Sequence, residues 1–262
     1  MSDQRLLVGL LDGVLTLTIN RPAKRNALSL ALLDELAATL HAHASEPALR
    51  AAVITATGDR CFAAGGDLDE LDAVRTEADA AAMSRRGRAA LDAVRKFPLP
   101  VVGGLNGLAL GGGAELAMAC DLRVASPDAE IGFLQGQLNV TTAWGGGADL
   151  CLALGAHRAL ELLVSARRIP APEALELGLV NYVCPPELDL EAGLDEFMRP
   201  WIQRSPRVLR GFKSITKAAR LELQAALSPI EEAELATTWA HQDHWDAVAA
   251  AAARRQGGRQ RG

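Results

Sequence analysis

Two glycine-rich stretches, and one acid set among apolar residues, are where this sequence could do chemistry. "NGLALGGGAELAMACDLRVAS" (residues 106–126) places Glu115 inside an otherwise apolar run, close behind Gly111, Gly112 and Gly113. "AAGGDL" (residues 63–68) repeats the design of a glycine turn that opens a helix. Such a turn leaves backbone N–H groups without intrahelical partners, and the helix dipole adds positive potential there. Two such turns facing each other would converge two N–H donors on one oxygen. That geometry suits an oxygen that gains negative charge, such as a thioester carbonyl becoming an enolate. Glycine also lets a ligand approach the backbone closely, although the same residues serve tight turns and close helix packing. Neither stretch is a phosphate fingerprint: there is no GxxxxGK[ST], and the spacing is not GxGxxG.

Alternating strands and helices must position these loops. "GVLTLTIN" (13–20) alternates and is β-branched, which predicts a strand. Ser29 is placed to cap a helix through "LALLDELAATLHAHA". "LRAAVITATG" is a second strand, apolar on both faces and therefore interior. "DRCFAAGGDLDEL" reads as a loop entering a helix, 76–96 as a long Ala-rich helix, and "FPLPVVGGLNG" as another buried strand. "DLRVAS" and "AEIGF" read as short strands, followed by helices over about 146–163 and 172–177. This order implies an α/β core over residues 1–195. Residues 196–262 form a helical region, with an irregular, disordered tail from about residue 255. The apolar helices of that region suit packing on a neighbouring subunit or on their own core.

Bulk properties narrow the function classes. Over 262 residues the chain is 49% hydrophobic and 23% charged, with a formal net charge of −5, which argues against a nucleic-acid surface. No apolar run is long enough to span a membrane. "MSDQRLLVGLLDG" lacks a secretion-signal pattern, so a cytoplasmic setting is expected. Cys61, Cys120, Cys151 and Cys184 are widely spaced, which fits reduced, inert thiols better than zinc. His241 and His244, three apart on a predicted helix, have no third ligand nearby, so no metal site is expected.

Taken together, "LTINRPAKRNALS", "CFAAGGDL", "NGLALGGGAELAMACDLRVAS" and "ALELGLVNYV" resemble the crotonase, or enoyl-CoA hydratase/isomerase, superfamily over roughly residues 10–240. The resemblance implies an α/β spiral of ββα turns with a C-terminal helical region used for trimerisation. It also implies an acyl-CoA thioester substrate and no separate cofactor, CoA being part of the substrate. The assembly would be a homotrimer or a dimer of trimers, with no nucleic-acid or membrane partner. Its motifs align the two oxyanion-binding N–H groups with Gly66 and Gly112. CoA would lie along Lys24, Ala27, Ala64, Asp67 and Leu68. Glu115 would then be the acid or base at the α or β carbon of the acyl group, and burial would raise its pKa.

The chain departs from the family at a second acid, found in a segment resembling "FGxPE". Here "AEIGFLQGQLNVTTAWGGG" puts Gln135 at that place. A glutamine can hold a water but cannot accept its proton, so two-carboxylate hydration is compromised. No Asp or Glu occurs from residue 132 to 139, and Glu130 is the nearest candidate substitute. Decarboxylation of a malonyl-type thioester needs the oxyanion site and only one acid. "LGGGAEL…ACDLR", "AWGGG" and "ATTW" are similar to the ethylmalonyl-CoA and methylmalonyl-CoA decarboxylases of the superfamily. The expected reaction is therefore decarboxylation of such an ester with Glu115 as acid. Trp144 and Trp239 would wall an apolar pocket that desolvates the substrate carboxylate, or serve as ordinary core or interface aromatics. The alternatives are an enoyl-CoA hydratase or isomerase with an altered second acid, other enolate chemistry, and a non-catalytic CoA-ester-binding protein. The chain also departs from the family at the C-terminus, where "QDHWDAVAAAAARRQ" replaces an "EG…AF…KR.P.F" type segment and His244, Trp245 or Arg254 would have to substitute for its CoA-contacting residues.

Overall fold

The structure, a computed structural model, describes residues 4–259; for Leu68 and residues 255–259 only the backbone is described. Leu6–Leu11 (β1) and Val14–Ile19 (β2) form an antiparallel hairpin. Its turn residues Asp12 and Gly13 have φ of 49° and 80°, the left-handed pair that matches strand twist. β1 is not predicted by the pattern of its residues: LLVGLL does not alternate, and on this edge strand only Leu6 is buried. A 3₁₀ turn, Pro22–Lys24, leads to α1 (Leu30–His43), where Ser29 Oγ accepts the Leu32 N–H at 3.2 Å.

Three ββα turns follow. The first comprises β3 (Ala51–Ala56), β4 (Cys61–Ala63), the short α2 (Leu68–Leu71) and α3 (Glu77–Lys96). In the second, β5 (Val101–Leu105) and β6 (Leu108–Leu110) lead into α4 (Gly112–Ala119). The third runs through β7 (Leu122–Ala125), β8 (Glu130–Gly132), a 3₁₀ turn at Leu134–Leu138, α5 (Gly146–Leu154) and α6 (Ala156–Ser165). Then come β9 (Ile169–Pro170), α7 (Ala171–Leu177), β10 (Tyr182–Val183), α8 (Leu190–Ile202), α9 (Pro206–Ala240) and α10 (Gln242–Arg259).

Each turn gives its first strand to one sheet, ordered β1-β2-β3-β5-β7-β10, and its second to another, ordered β4-β6-β8-β9. The result is the crotonase-like α/β spiral that the motifs imply. β3 lies between β2 and β5, and five of its six residues are buried, as its apolar run requires. α9 runs through Pro229 for 35 residues. Two details differ from the sequence expectation. The helix expected over 146–163 breaks at Gly155, whose φ of 75° ends α5 and starts α6. α10 runs to Arg259, past residue 255 where an irregular tail was expected; residues 260–262 lie outside the described residues. Among the described residues no helix is long and apolar enough to cross a membrane.

α9 packs on α3 and α5 of its own chain, and the contact is ionic at its centre. Arg95, fully buried on α3, donates through Nε to Asp149 Oδ2 at 3.0 Å and through Nη2 to the Trp144 carbonyl at 2.7 Å. Arg220 of α9 donates through Nε to the other Asp149 oxygen at 2.9 Å. Gln224, one turn on, donates to Asp149 Oδ1 at 2.8 Å and to the Gly145 carbonyl at 2.9 Å. Burial pushes the Asp149 carboxyl up, but the charges of Arg95 and Arg220 outweigh it, and the group is held below the usual carboxylate range.

Replacing Asp149 with Ala removes the acid shared by two buried guanidinium groups, leaving Arg95 with Asp92 and Arg220 with Asp121, and a loss of about 3 kcal/mol is expected in urea unfolding. The native carboxyl titrates below its unfolded value of about 3.9, so its contribution is present above that pH and is lost as pH falls through the native value. The acid limb of the stability curve should therefore flatten in Asp149→Asn.

Candidate active site

β4, β6 and β8 are adjacent and parallel, with Cys61 opposite Leu108 and Ala109 opposite Ile131. Their C-terminal ends therefore release three loops side by side, at Gly65–Gly66, Gly111–Gly112 and Phe133–Gln135. In parallel sheets this is the edge where ligands bind. The first two loops touch: a Cβ on Gly65 would lie 3.4 Å from the Leu110 carbonyl oxygen and 3.9 Å from the Gly112 nitrogen. Gly111 precedes α4 with φ 54° and ψ −120°, a backbone shape that favours glycine. Gly66 and Gly112 both line the same cavity, and among the described residues neither N–H has a backbone acceptor.

Glu115 lies one helical turn beyond Gly112 and is 1% exposed. Four N–H donors surround its carboxyl group. Oε1 accepts from Gln135 Nε2 at 2.9 Å and from the Ala143 N–H at 3.2 Å. Oε2 accepts from the Trp144 N–H at 2.7 Å and the Gly146 N–H at 2.9 Å. Together these occupy the roughly four acceptor positions of an ionised carboxylate. Burial, and then the negative charge of Glu231, push the Glu115 carboxyl above its usual range; the three backbone donors reduce the rise without cancelling it. Glu231 reaches the back of the same segment from α9. It accepts from Thr142 Oγ1 at 2.6 Å and the Gly147 N–H at 2.8 Å, and pairs with Arg88 at 3.3 Å.

The cavity measures about 270 Å³. Among its described lining residues Glu115 is the only acid. Leu71, Met83, Leu138, Trp144, Leu235 and Trp239 give it apolar walls, and Arg25, Arg168 and Arg254 contribute positive charge. Ala64, Gly66, Gly112, Glu115 and Gln135, all singled out from the sequence, meet here. Trp144 and Trp239 are cavity walls as well as core residues. His244 also lines it, buried, with Nδ1 2.7 Å from the Leu138 carbonyl, and burial lowers its pKa.

Three expected CoA contacts sit elsewhere among the described residues. Asp67 is buried against Arg21 at 2.7 Å; burial raises its pKa but the Arg21 hydrogen bond and charge hold it below the usual range. Lys24 is exposed and paired with Asp69 at 2.7 Å, and Ala27 gives its carbonyl to Arg21. The side chain of Leu68 lies outside what is described. Glu130 does not replace the missing second acid: it points to Arg168 at 3.4 Å and is not a described lining residue. Burial pushes the Cys120 thiol up to about 12, which suits an inert thiol. Sequence reasoning missed Glu231 and Arg168, which carry no spacing signal; Arg25 lies within the "RPAKRNALS" motif, between the expected CoA contacts Lys24 and Ala27.

The family model for Enoyl-CoA hydratase/isomerase matches residues 10–256. The 2,3-dehydroadipyl-CoA hydratase of Escherichia coli K12 is 37% identical over 225 residues, covering 85% of this chain and 86% of that protein. Among solved structures, an enoyl-CoA hydratase from Bacillus anthracis aligns with a TM-score of 0.77 at 33% identity, covering 85% of this chain and 89% of that one. An enoyl-CoA hydratase/isomerase from Mycobacterium paratuberculosis aligns with a TM-score of 0.85 at 26% identity, covering 94% and 97%.

A Cβ on Gly146 would lie 2.3 Å from Cγ of Glu115. Gly146→Ala is therefore expected to displace the carboxyl group and lower kcat/KM at least about a hundredfold. Steady-state kinetics beside an unchanged far-ultraviolet circular dichroism spectrum would check this.

Proposed function

The chain belongs to the enoyl-CoA hydratase/isomerase family, and on that footing we propose that it decarboxylates a short malonyl-type CoA ester, such as ethylmalonyl-CoA or methylmalonyl-CoA. It is an acyl-CoA-processing enzyme of the hydratase/isomerase type; the choice of reaction is the part proposed. One observation carries that choice: the second carboxyl position holds Gln135, whose amide donates to Glu115 at 2.9 Å. The described cavity thus presents one acid beside two free N–H groups.

The thioester oxygen would sit between the Gly66 and Gly112 N–H groups. The bond from Cα to the carboxylate breaks, its electron pair enters the enolate, and CO₂ leaves. The two N–H groups stabilise the negative oxygen. Glu115 then gives its proton to Cα, forming the acyl-CoA product, and regains one from solvent. An ionised Glu115 would repel the substrate carboxylate, each disfavouring the other's charge. Burial and Glu231 favour its neutral form at the start, in which the acid O–H turned toward Cα takes the place of one of the four donors, and all four serve the anion once the proton has gone. The apolar walls, Trp144 among them, desolvate the departing carboxylate and favour CO₂. The positive charge of Arg25, Arg168 and Arg254 suits the anionic CoA ester. The reaction needs no cofactor beyond the CoA that the substrate carries.

A homotrimer or a dimer of trimers is the assembly we propose, supported by the exposed apolar residues Val208, Phe212 and Ile215 of α9. Light scattering on the purified protein would check it.

Hydration of an enoyl-CoA is the second reading. It is favoured by the hydratase relatives and by Gln135 Oε1, a buried acceptor without a partner among the described residues. That oxygen is suited to hold a water, with Glu115 moving the protons alone.

Product analysis separates the two. Ethylmalonyl-CoA or methylmalonyl-CoA should yield butyryl-CoA or propionyl-CoA, with at least about a hundredfold loss in Glu115→Gln, a typical scale for a lost general acid. Hydration of crotonyl-CoA with inert malonyl esters would overturn decarboxylation in favour of the second reading. For decarboxylation, kcat should fall as pH rises through the raised Glu115 value, because the donor form is lost. A rate that instead rises across that range would assign Glu115 the role of base.

A further inference from the structure

Trp144 is the largest of the apolar side chains lining the cavity together with Trp239, and its ring lies beside both glycine loops. We propose that the Trp144 side chain limits the length of the acyl chain this site accepts, an inference that rests on the acyl-CoA reading but not on which reaction follows. The indole bridges two elements that meet at the site. A Cβ on Gly87, inside α3, would lie 2.1 Å from its Nε1, and one on Gly112, at the start of α4, would lie 2.4 Å from Cζ3. On Gly66 a Cβ would lie 3.7 Å from Cη2, so the ring also borders the other oxyanion loop.

Glycine inside a helix is less stable than alanine, and Gly87 has no positive φ to explain it. Room for the indole is a reason for its presence. The ring is 3% exposed, and its N–H has no partner among the described residues. Nothing polar therefore orients it: it is held by shape, and it acts by bulk.

The backbone of Trp144 does separate work. Its N–H donates to Glu115 and its carbonyl accepts from Arg95, and neither bond needs the side chain. Shortening the side chain should leave the carboxyl cradle in place and open a void between α3 and α4, in the wall of the cavity that the ring now lines. An apolar void of that kind stays dry and takes an apolar guest. The guest here would be the distal carbons of a longer acyl chain.

The test measures binding of two inert saturated esters, butyryl-CoA and octanoyl-CoA, by titration calorimetry. Wild type should favour butyryl-CoA. Trp144→Ala should shift the ratio of the two affinities toward octanoyl-CoA at least about tenfold, the scale of pocket discrimination by methylene groups. Trp144→Phe, which keeps most of the bulk without the N–H, should stay near wild type. Trp144→Leu is the substitute should the alanine protein not fold, with a smaller shift in the same direction. An unchanged ratio with both esters still bound would overturn the proposal alone, as would a phenylalanine variant that shifts as far as alanine. Failure of both esters to bind wild type would overturn the acyl-CoA reading, and the chain-length limit with it.

Discussion

The carboxyl group of Glu115 is withdrawn from water into an apolar region, and the surrounding structure answers to that burial. A buried carboxylate without partners is very unfavourable. Here four N–H groups converge on it, three of them from the backbone of residues 143–146. Backbone donors of this kind require a tightly bent segment. The glycines at 145 and 146 permit it: Gly145 has a φ of 90°, and at Gly146 a Cβ would overlap the glutamate itself. The acid and the loop that receives it are therefore one unit.

That unit is held from behind by α9. Glu231 grips the N–H of Gly147 and the hydroxyl of Thr142, while Gln224 takes the Gly145 carbonyl. Arg95 takes the Trp144 carbonyl, and the same guanidinium joins Asp149 and hence Arg220. Charges sealed in this way are kept by geometry, since each needs its partners to offset desolvation. The helical region thus does more than cover the core. It fixes the segment that carries the hydrogen bonds to Glu115, and the negative end of Glu231 adds to the rise in the pKa of that acid.

Much of this was legible in the residues because the relevant signals are local. Ser29 caps α1 as its position predicts, and the buried run of β3 reads as an interior strand. The two glycine turns and Glu115 announce themselves by type and spacing, and Gln135 is visible as a missing acid. Less legible was β1, an edge strand whose pairing to β2 supplies stability that its pattern does not show. The break at Gly155 was hidden by apolar residues on both sides. The ion pairs of the expected CoA contacts Lys24 and Asp67, with Asp69 and Arg21, were likewise not legible, because the partners are brought together only by the fold.

By itself the sequence determined an α/β order of strands and helices and two glycine turns with free N–H groups, through properties carried within a few residues: periodicity, glycine conformation and helix-end dipoles. The spiral, and the presence of one acid where two are common, were legible through the resemblance of its motifs to the family. Only the tertiary structure decided that Gln135 donates to Glu115, that Glu231 stands behind it, and that Trp144 closes the space beside both glycine loops. Glu231 lies far along the chain from Glu115, and Gly87 far from Trp144. Coulomb forces and packing act through space, so nothing in local spacing reveals such partners until the parallel strands and α9 bring them together.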